Sequence, residues 1–178
     1  MSDKENPTPG WGHGSGHLAM RAPAPVTAPG EAIDRFLIAE RISRYGWAFD
    51  ERRADLIADN FTADAVWEGT IRDEEPLGPI EGRDAVVAWL TEYWPRQHDQ
   101  RRHAIVNTVI EELSETDAVA QAYQLLTAAR LGEVAVETTG FYRFELRRDE
   151  GAWRIRRLFS GYDAPFVPGK LDHLGDDA

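Results

Sequence analysis

A stripe of apolar residues at helical intervals opens the patterned part of the chain. Ile38, Ile42, Tyr45 and Phe49 follow one another at spacings of 4, 3 and 4. Residues at these spacings lie above one another on one face of a helix. The pattern predicts a first helix over residues 32–51.

Shorter elements follow this helix. Residues 54–61 predict a second helix, and residues 82–94 predict a third with one apolar face. Between them we expect a turn at 62–64 and a strand at 65–70. The polar, proline-containing stretch 71–82 is expected to form a loop.

The second half of the chain changes to strand character. Its four long stretches, rich in Val, Ile, Thr and aromatic residues, are 103–113, 118–130, 134–148 and 152–162. Short turns separate them at Ser114–Asp117, at Gly132 and at 149–151. Short connections favour antiparallel pairing of successive strands, so we expect a meander. Helices followed by a sheet indicate the α+β class.

The two ends of the chain differ in composition from its middle. Residues 1–30 contain five Pro and five Gly, which predicts a flexible arm. His13 and His17 lie in this arm, but metal-site spacing is missing, so a weak metal site is the lesser alternative. We expect the domain to span residues 31–163 and a tail to occupy 164–178.

Charge and composition narrow the function classes. The formal net charge is −11, which disfavours binding to nucleic acid or to an anionic membrane. The chain has no cysteine, and it shows neither a signal-peptide pattern nor an apolar run long enough to span a bilayer. We therefore expect a cytoplasmic protein. Nucleotide-binding, hydrolase-elbow and zinc-protease motifs are absent from the sequence.

The predicted order of elements, α-α-β-α-β-β-β-β, resembles the cone-shaped fold of the nuclear transport factor 2 (NTF2) superfamily. More narrowly, the sequence resembles its SnoaL-like polyketide cyclases, scytalone dehydratase and bile-acid dehydratase. The resemblance rests on the order of several loose phrases: Tyr45 with Asp50, NFTADAVWEG, IEGRDAVVAWL, His103 with Asn107, and GFYRFELRRDEGAWRI. It implies a strongly bent antiparallel sheet wrapped on helices, an apolar pocket between them, and chemistry without a cofactor or a metal.

The resemblance also implies catalytic residues. It places Asp50 and His103 in the pocket, where the carboxylate orients the imidazole and His103 acts as general acid and base. A carboxylate at a helix C-terminus is disfavoured by the helix dipole, which is a mild argument for a function of Asp50. Tyr45 matches the tyrosine that helps hold a substrate oxygen in bile-acid dehydratase, although packing explains it nearly as well. Glu137 is a second candidate acid, if its strand turns it inward.

Other residues are expected to contribute to substrate binding. They are Phe49, Trp67, Tyr93, Trp94, Asn107 and Tyr123. Two of them mark departures from scytalone dehydratase, since Tyr123 stands where that family has a second histidine and Phe49 where it has a tyrosine. We therefore do not expect scytalone to be the substrate. Arg156 or Arg157 could hold an anionic substrate at the pocket mouth.

Three functions fit this set of residues. The first is a dehydratase, isomerase or cyclase acting on a polycyclic or polyketide-like small molecule with His103, Asp50 and Tyr45. The second is an epoxide-opening hydrolase or cyclase that uses Glu137 and tyrosines. The third is a non-catalytic small-molecule binding protein. By analogy with related proteins, the chain is expected to form a homo-oligomer, a dimer or a trimer.

Overall fold

A computed structural model describes residues 8–72 and 76–165 of the chain. Its helices are α1 (Trp11–Gly14), α2 (Pro29–Asp50), α3 (Ala54–Asn60) and α4 (Arg83–Thr91), with a short 3-10 helix at Trp94–Arg96. The three predicted helices correspond to α2, α3 and α4. Proline in the first turn of α2 suits the helix start, where the missing N–H would have no partner. Among the described residues, no helix is long and apolar enough to cross a membrane.

The strands form one sheet of six. They are β1 (Phe61–Ile71), β2 (Leu77–Glu81), β3 (Gln100–Leu113), β4 (Asp117–Arg130), β5 (Glu133–Asp149) and β6 (Ala152–Tyr162). The order across the sheet is β2-β1-β6-β5-β4-β3. Strands β3 to β6 pair antiparallel in succession, which confirms the predicted meander and the α+β class.

Three details of the sheet differ from the prediction. The sheet is mixed and not wholly antiparallel, because β1 pairs with β6 in parallel. Residues 62–64, predicted as a turn, belong to β1, where a register shift before Val66 accommodates them. The predicted loop 71–82 contains β2, which pairs with β1 at Trp67 and Ile80. Because β2 lies at the sheet edge, its Pro79 is tolerated there.

The inner face of the sheet packs against α2 and forms the core. Ala120 and Ala122 of β4 pair with Phe144 and Tyr142 of β5 in the buried cluster on this face. Helix α2 adds Ile38, Ile42 and Tyr45. The alanines leave room for the helix above the sheet, and the larger rings fill the space beside it.

The opposite, outer face of the sheet carries part of the N-terminal arm. Trp11 is buried against Phe141 with 5.0 Å between ring centroids, and its Nε1 donates to Asp163 Oδ1 at 2.8 Å. The amide of Gln121 bonds the backbone of Ala19 twice, as donor at 2.7 Å and acceptor at 3.2 Å. Trp11 and Ala19 thus attach the described part of the arm to the sheet. Residues 1–7 of the predicted arm and 166–178 of the predicted tail lie outside the described residues.

Candidate functional site

Asp50 and His103 form a hydrogen-bonded pair at the C-terminal end of α2. Asp50 Oδ1 lies 2.5 Å from His103 Nδ1, and Asp50 Oδ2 accepts the backbone N–H of His103 at 2.8 Å. Both side chains are buried, with 6% and 7% of their surface exposed. The Asp50 carboxylate therefore holds both the backbone and the imidazole ring of His103, and these two bonds fix the orientation of the ring.

The two residues are 53 positions apart in the sequence, and the packing of α2 on β3 brings them together. Asp50 is the last residue of α2, and His103 follows the start of edge strand β3 on its inner face, opposite Leu126 of β4. Gly46 lies one turn before Asp50, and a Cβ there would meet Ile105 Cδ1 at 3.3 Å. The missing side chain lets α2 approach β3 closely. Two hydrogen bonds also offset the unfavourable helix dipole at the Asp50 carboxylate.

The geometry determines which imidazole nitrogen is free. A carboxylate only accepts hydrogen bonds, so His103 Nδ1 carries the proton and Nε2 keeps its lone pair. The ring can then accept a proton at Nε2, and the imidazolium so formed is stabilised by the adjacent carboxylate. The pair is therefore equipped for general acid-base chemistry at one defined atom.

Aromatic rings border the imidazole. Phe49 contacts the His103 ring at 4.7 Å between centroids, and Trp94 contacts Phe49 at 5.8 Å in an edge-to-face arrangement. Tyr93, beside Trp94, lies under the guanidinium of Arg101 at 5.4 Å. The structure thus brings the predicted residue Phe49 into contact with His103, and Trp94 into contact with Phe49. Tyr93 contacts Arg101 instead.

Three tyrosines lie buried near the pair. Tyr45 of α2 packs edge-to-face on Tyr142 of β5 at 6.0 Å, and Tyr162 ends β6 on the same inner face. Burial raises the pKa of all three hydroxyls, and the nearby Asp50 charge raises the pKa of Tyr45 and Tyr142 further. The phenols consequently stay protonated at neutral pH and act as hydrogen-bond donors.

These raised pKa values predict an alkaline loss of stability. Below about pH 10 both folded and unfolded chains keep the phenolic protons, so the tyrosines do not affect the free energy of unfolding. Above that pH the unfolded chain releases protons that the folded chain retains, and stability falls as pH rises. We expect phenolate absorbance from Tyr45, Tyr142 and Tyr162 to develop only together with loss of the circular dichroism signal, above about pH 10.

A control variant isolates one contribution to this alkaline effect. Tyr45→Phe removes one titrating phenol from the buried group, so its stability should fall less steeply over the same range. Full ionisation of all five tyrosines of the chain while the circular dichroism signal is intact would contradict the assignment.

Glu137 is buried, with 1% of its surface exposed, at a register shift between β4 and β5. Its neighbour Thr138 pairs with Leu126, which in turn pairs with His103. Two strand spacings, about 10 Å, therefore separate this part of β5 from His103. The expected inward alternation fails further along β5, where Phe141 packs on Trp11 at the outer face.

The remaining predicted residues do not share one site. Trp67 is 3% exposed on the inner face of β1 and packs on Trp89 at 5.5 Å, as a core residue. Tyr123 is 56% exposed on the outer face of β4, opposite Val106. Tyr123 and Asn107 line an open cavity of about 620 Å³, which neither Asp50 nor His103 lines. The structure therefore does not place these two predicted substrate-binding residues beside the pair.

The arginines proposed for anion binding and the histidine proposed for metal binding contact other side chains. Arg157 pairs with Glu68 and Arg156 with Glu145, each at 2.7 Å. His17 stacks on Phe159 at 4.3 Å. The described part of the chain contains no group of three or more His, Asp or Glu side chains suited to a metal ion.

Several inner-face polar residues were missed by sequence reasoning. Tyr142 and Ser160 pair across β5 and β6, and Gln124 lies one register row away, opposite Gly140. All three are buried. The signal was available in the alternation of GFYRFEL, in which Tyr142 shares a face with Phe144. Arg101, buried with Asp99 at 3.1 Å, was also missed.

Sequence and structure comparisons agree with this architecture. The model of the SnoaL-like domain matches residues 30–158. The chain belongs to the SnoaL-like domain family. No curated protein matches it.

Solved structures share the fold. An NTF2-like protein with a cystatin-like fold from Novosphingobium aromaticivorans is 19% identical, with a TM-score of 0.64 over 80% of this chain and 87% of that one. The beta subunit of a proposed aromatic-ring-hydroxylating dioxygenase from the same species is 17% identical, with a TM-score of 0.67 over 80% of this chain and 97% of that one. A Catenulispora acidiphila protein in complex with S-DNPA is 26% identical, with a TM-score of 0.64 over 74% and 95%.

Family and fold together give a coarse function. This SnoaL-like protein has the NTF2-like fold. Its family membership supports a protein that binds or transforms a small molecule.

Proposed function

We propose that this SnoaL-like protein is a cofactor-independent dehydratase, isomerase or cyclase that acts on a polycyclic or polyketide-like small molecule. The observation that carries the proposal is the buried hydrogen bond between Asp50 and His103, which leaves His103 Nε2 free as a base. His103 and Asp50 carry the proton transfer, and Tyr45 donates a hydrogen bond toward a substrate oxygen. Phe49 and Trp94 provide an apolar wall for a flat substrate.

The chemistry follows from one proton relay. Nε2 of His103 removes a proton from the carbon next to a substrate carbonyl, and the electron pair of the C–H bond moves into an enolate. The imidazolium then gives that proton to a β-hydroxyl, whose C–O bond breaks so that water leaves and a double bond forms. Return of the proton to carbon instead gives isomerisation. In ring closure the enolate carbon attacks a second carbonyl, and the imidazolium gives its proton to the alkoxide that forms.

The buried surroundings favour the enolate. In an apolar site, each hydrogen bond to developing charge stabilises the transition state more than it would in water. The protonated hydroxyls of the tyrosine group are suited to donate such bonds, because their raised pKa values keep the protons in place. No cofactor is required for any of these steps.

The test uses hydroxylated polycyclic ketones in deuterated water. We expect the wild-type protein to introduce deuterium at the carbon next to the carbonyl and, with a β-hydroxyl present, to release water, both followed by mass spectrometry. Deuterium uptake reports proton abstraction even when the product is not the natural one. Binding of such ketones without uptake or water loss would contradict the proposal and favour the non-catalytic reading.

Epoxide opening is the second candidate, and the burial of Glu137 supports it. A buried carboxylic acid could protonate an epoxide oxygen, after which water or a substrate hydroxyl attacks the ring carbon. Polycyclic epoxides should then be consumed by wild type and by His103→Gln but not by Glu137→Gln. The opposite dependence would favour the proton relay at His103.

The proposal includes the location and the oligomeric state of the protein. The protein acts in the cytoplasm as a homodimer or homotrimer, without nucleic acid or membrane partners. Light scattering of the purified full chain would measure the oligomeric state.

A further inference from the structure

The open cavity on the arm side of the sheet has the features of a second ligand site. Its volume of about 620 Å³ falls within the range of small-molecule pockets. Arm residues 18–24 form one wall, and β3 and β4 form the other. Apolar and aromatic side chains dominate this lining: Leu18, Met20, Val109, Ile110, Tyr123 and Phe141.

A break in edge strand β3 shapes the cavity. Asn107 adopts a left-handed backbone conformation with φ 54, and the register with β4 shifts between Val106 and Val109. Such a bulge takes backbone polar groups out of the ladder and turns side chains away from the regular alternation. Asn107 and Thr108 therefore bring polar groups to an otherwise apolar wall.

The charged groups of the lining are not equivalent. Arg21 pairs with Glu112 at 2.7 Å, and Glu111 accepts a hydrogen bond from Gln121 Nε2 at 3.0 Å. Arg35 uses Nη1 to bond Ile110 O at 3.3 Å, while its buried Nε has no hydrogen-bond partner among the described residues. The Arg35 guanidinium is thus the charge in this lining best placed to receive a ligand.

This cavity is distinct from the Asp50–His103 pair. Arg35 lies fifteen residues before Asp50 on α2, which at about 1.5 Å per residue corresponds to about 22 Å. Arg35 Nη1 bonds the carbonyl of Ile110 on edge strand β3, and the cavity extends past this edge to Tyr123 and Phe141 on the outer face. His103 lies on the inner face and does not line the cavity. A ligand here would leave the proton relay untouched.

We propose that this cavity binds a flat, apolar molecule carrying one negative charge, with the rings against Tyr123 and Phe141 and the anionic group on Arg35. Aromatic walls favour planar ligands, and a guanidinium with a free N–H favours a carboxylate or sulfonate oxygen.

The sequence provides a local reporter of binding. The chain has two methionines, and Met20 lines the cavity. Labelling methionine methyl groups with carbon-13 therefore provides a signal inside the proposed site. Titration of the full chain with anilinonaphthalene sulfonate, a flat aromatic anion, should shift the Met20 signal in a saturable way.

Variants test the role of charge. Arg35→Met should weaken this binding at least about tenfold, whereas Arg35→Lys should retain most of it. Arg44→Met is the matched control, since Arg44 lies on the same helix, pairs with Glu40 and is 65% exposed. Phenylnaphthylamine, the uncharged counterpart of the probe, should bind wild type and Arg35→Met alike.

Val109→Glu tests the site without altering Arg35. Val109 is 48% exposed, so the change is compatible with folding, and the new carboxylate should repel the anionic probe at least about tenfold. His103→Gln should leave the Met20 shift unchanged. An absent Met20 shift would overturn the site, and a shift that Arg35→Met does not weaken would overturn its anionic selectivity.

Discussion

Replacing His103 by glutamine is expected to lower turnover by about 10²–10⁴-fold, the usual contribution of a general acid-base group. Glutamine keeps a donor near Asp50, so the buried carboxylate retains a partner and the fold should be preserved. The variant lacks only a nitrogen able to take up a proton. Deuterium uptake by hydroxylated polycyclic ketones measures the rate, and circular dichroism melting checks the fold.

His98→Gln provides the matched control for this experiment. His98 is exposed and lies five residues before His103, so its replacement should leave turnover unchanged within about twofold. If both histidine variants turned over substrate at the wild-type rate, His103 would have no catalytic role. If neither wild type nor variant turned over any ketone while all bound it equally, the binding-protein function would be favoured.

Asp50 should act in the same unit as His103. Asp50→Asn removes the charge that stabilises the imidazolium, and we expect a rate loss of about 10²-fold or more. Residues that serve one step are strongly non-additive. The double variant should therefore be no slower than His103→Gln alone, and a product of the two single losses would instead indicate independent roles. Asp84→Asn, at an exposed position of α4, is the control for the loss of one carboxylate.

The periodicity of the sequence was sufficient for the helices and for the meander. The stripe Ile38, Ile42 and Tyr45 is buried on α2, as its spacing predicts. Local pattern was insufficient where pairing between distant segments decides the structure. Residues 77–81 contain Gly and Pro and suggest a loop, yet pairing with β1 makes them an edge strand.

The site was predictable to different degrees. The pairing of Asp50 with His103 came from family resemblance, because no periodicity links residues so far apart in sequence. Tyr123 was misplaced because the resemblance to scytalone dehydratase aligned it with a histidine of that family. Helix α2 instead packs over the small residues Ala120 and Ala122, which forces Tyr123 to the outer face. Alternation along β4 therefore decides which residues face the site.

Gly140 is the position where the bend of the sheet allows no side chain. A Cβ at this residue would lie 2.0 Å from the carbonyl oxygen of Gly161 and 3.0 Å from its carbon, both backbone atoms of the neighbouring strand. Glycine within a strand commonly marks such a close backbone approach. Backbone atoms in the middle of a sheet cannot move aside as a flexible side chain does, so an added methyl group must push β5 away from β6.

We therefore expect Gly140→Ala to destabilise the protein by about 3 kcal/mol, at the upper end for overpacking, and to lower its Tm by about 6–12 °C. Gly30→Ala is the control, because a Cβ there meets no atom within 4 Å. Thermal and urea unfolding of both variants measure the difference.

The effect of Gly140→Ala on turnover provides a second measurement. Gly140 pairs with Tyr162 on β6 and with Gln124 on β4, so displacement of β5 also shifts the buried tyrosine group. Gly140→Ala should consequently lose turnover at temperatures where it is still folded, while Gly30→Ala keeps it. Equal stability of the two variants would mean that the sheet relaxes around the new methyl group, and that the close approach at Gly140 does not constrain the fold.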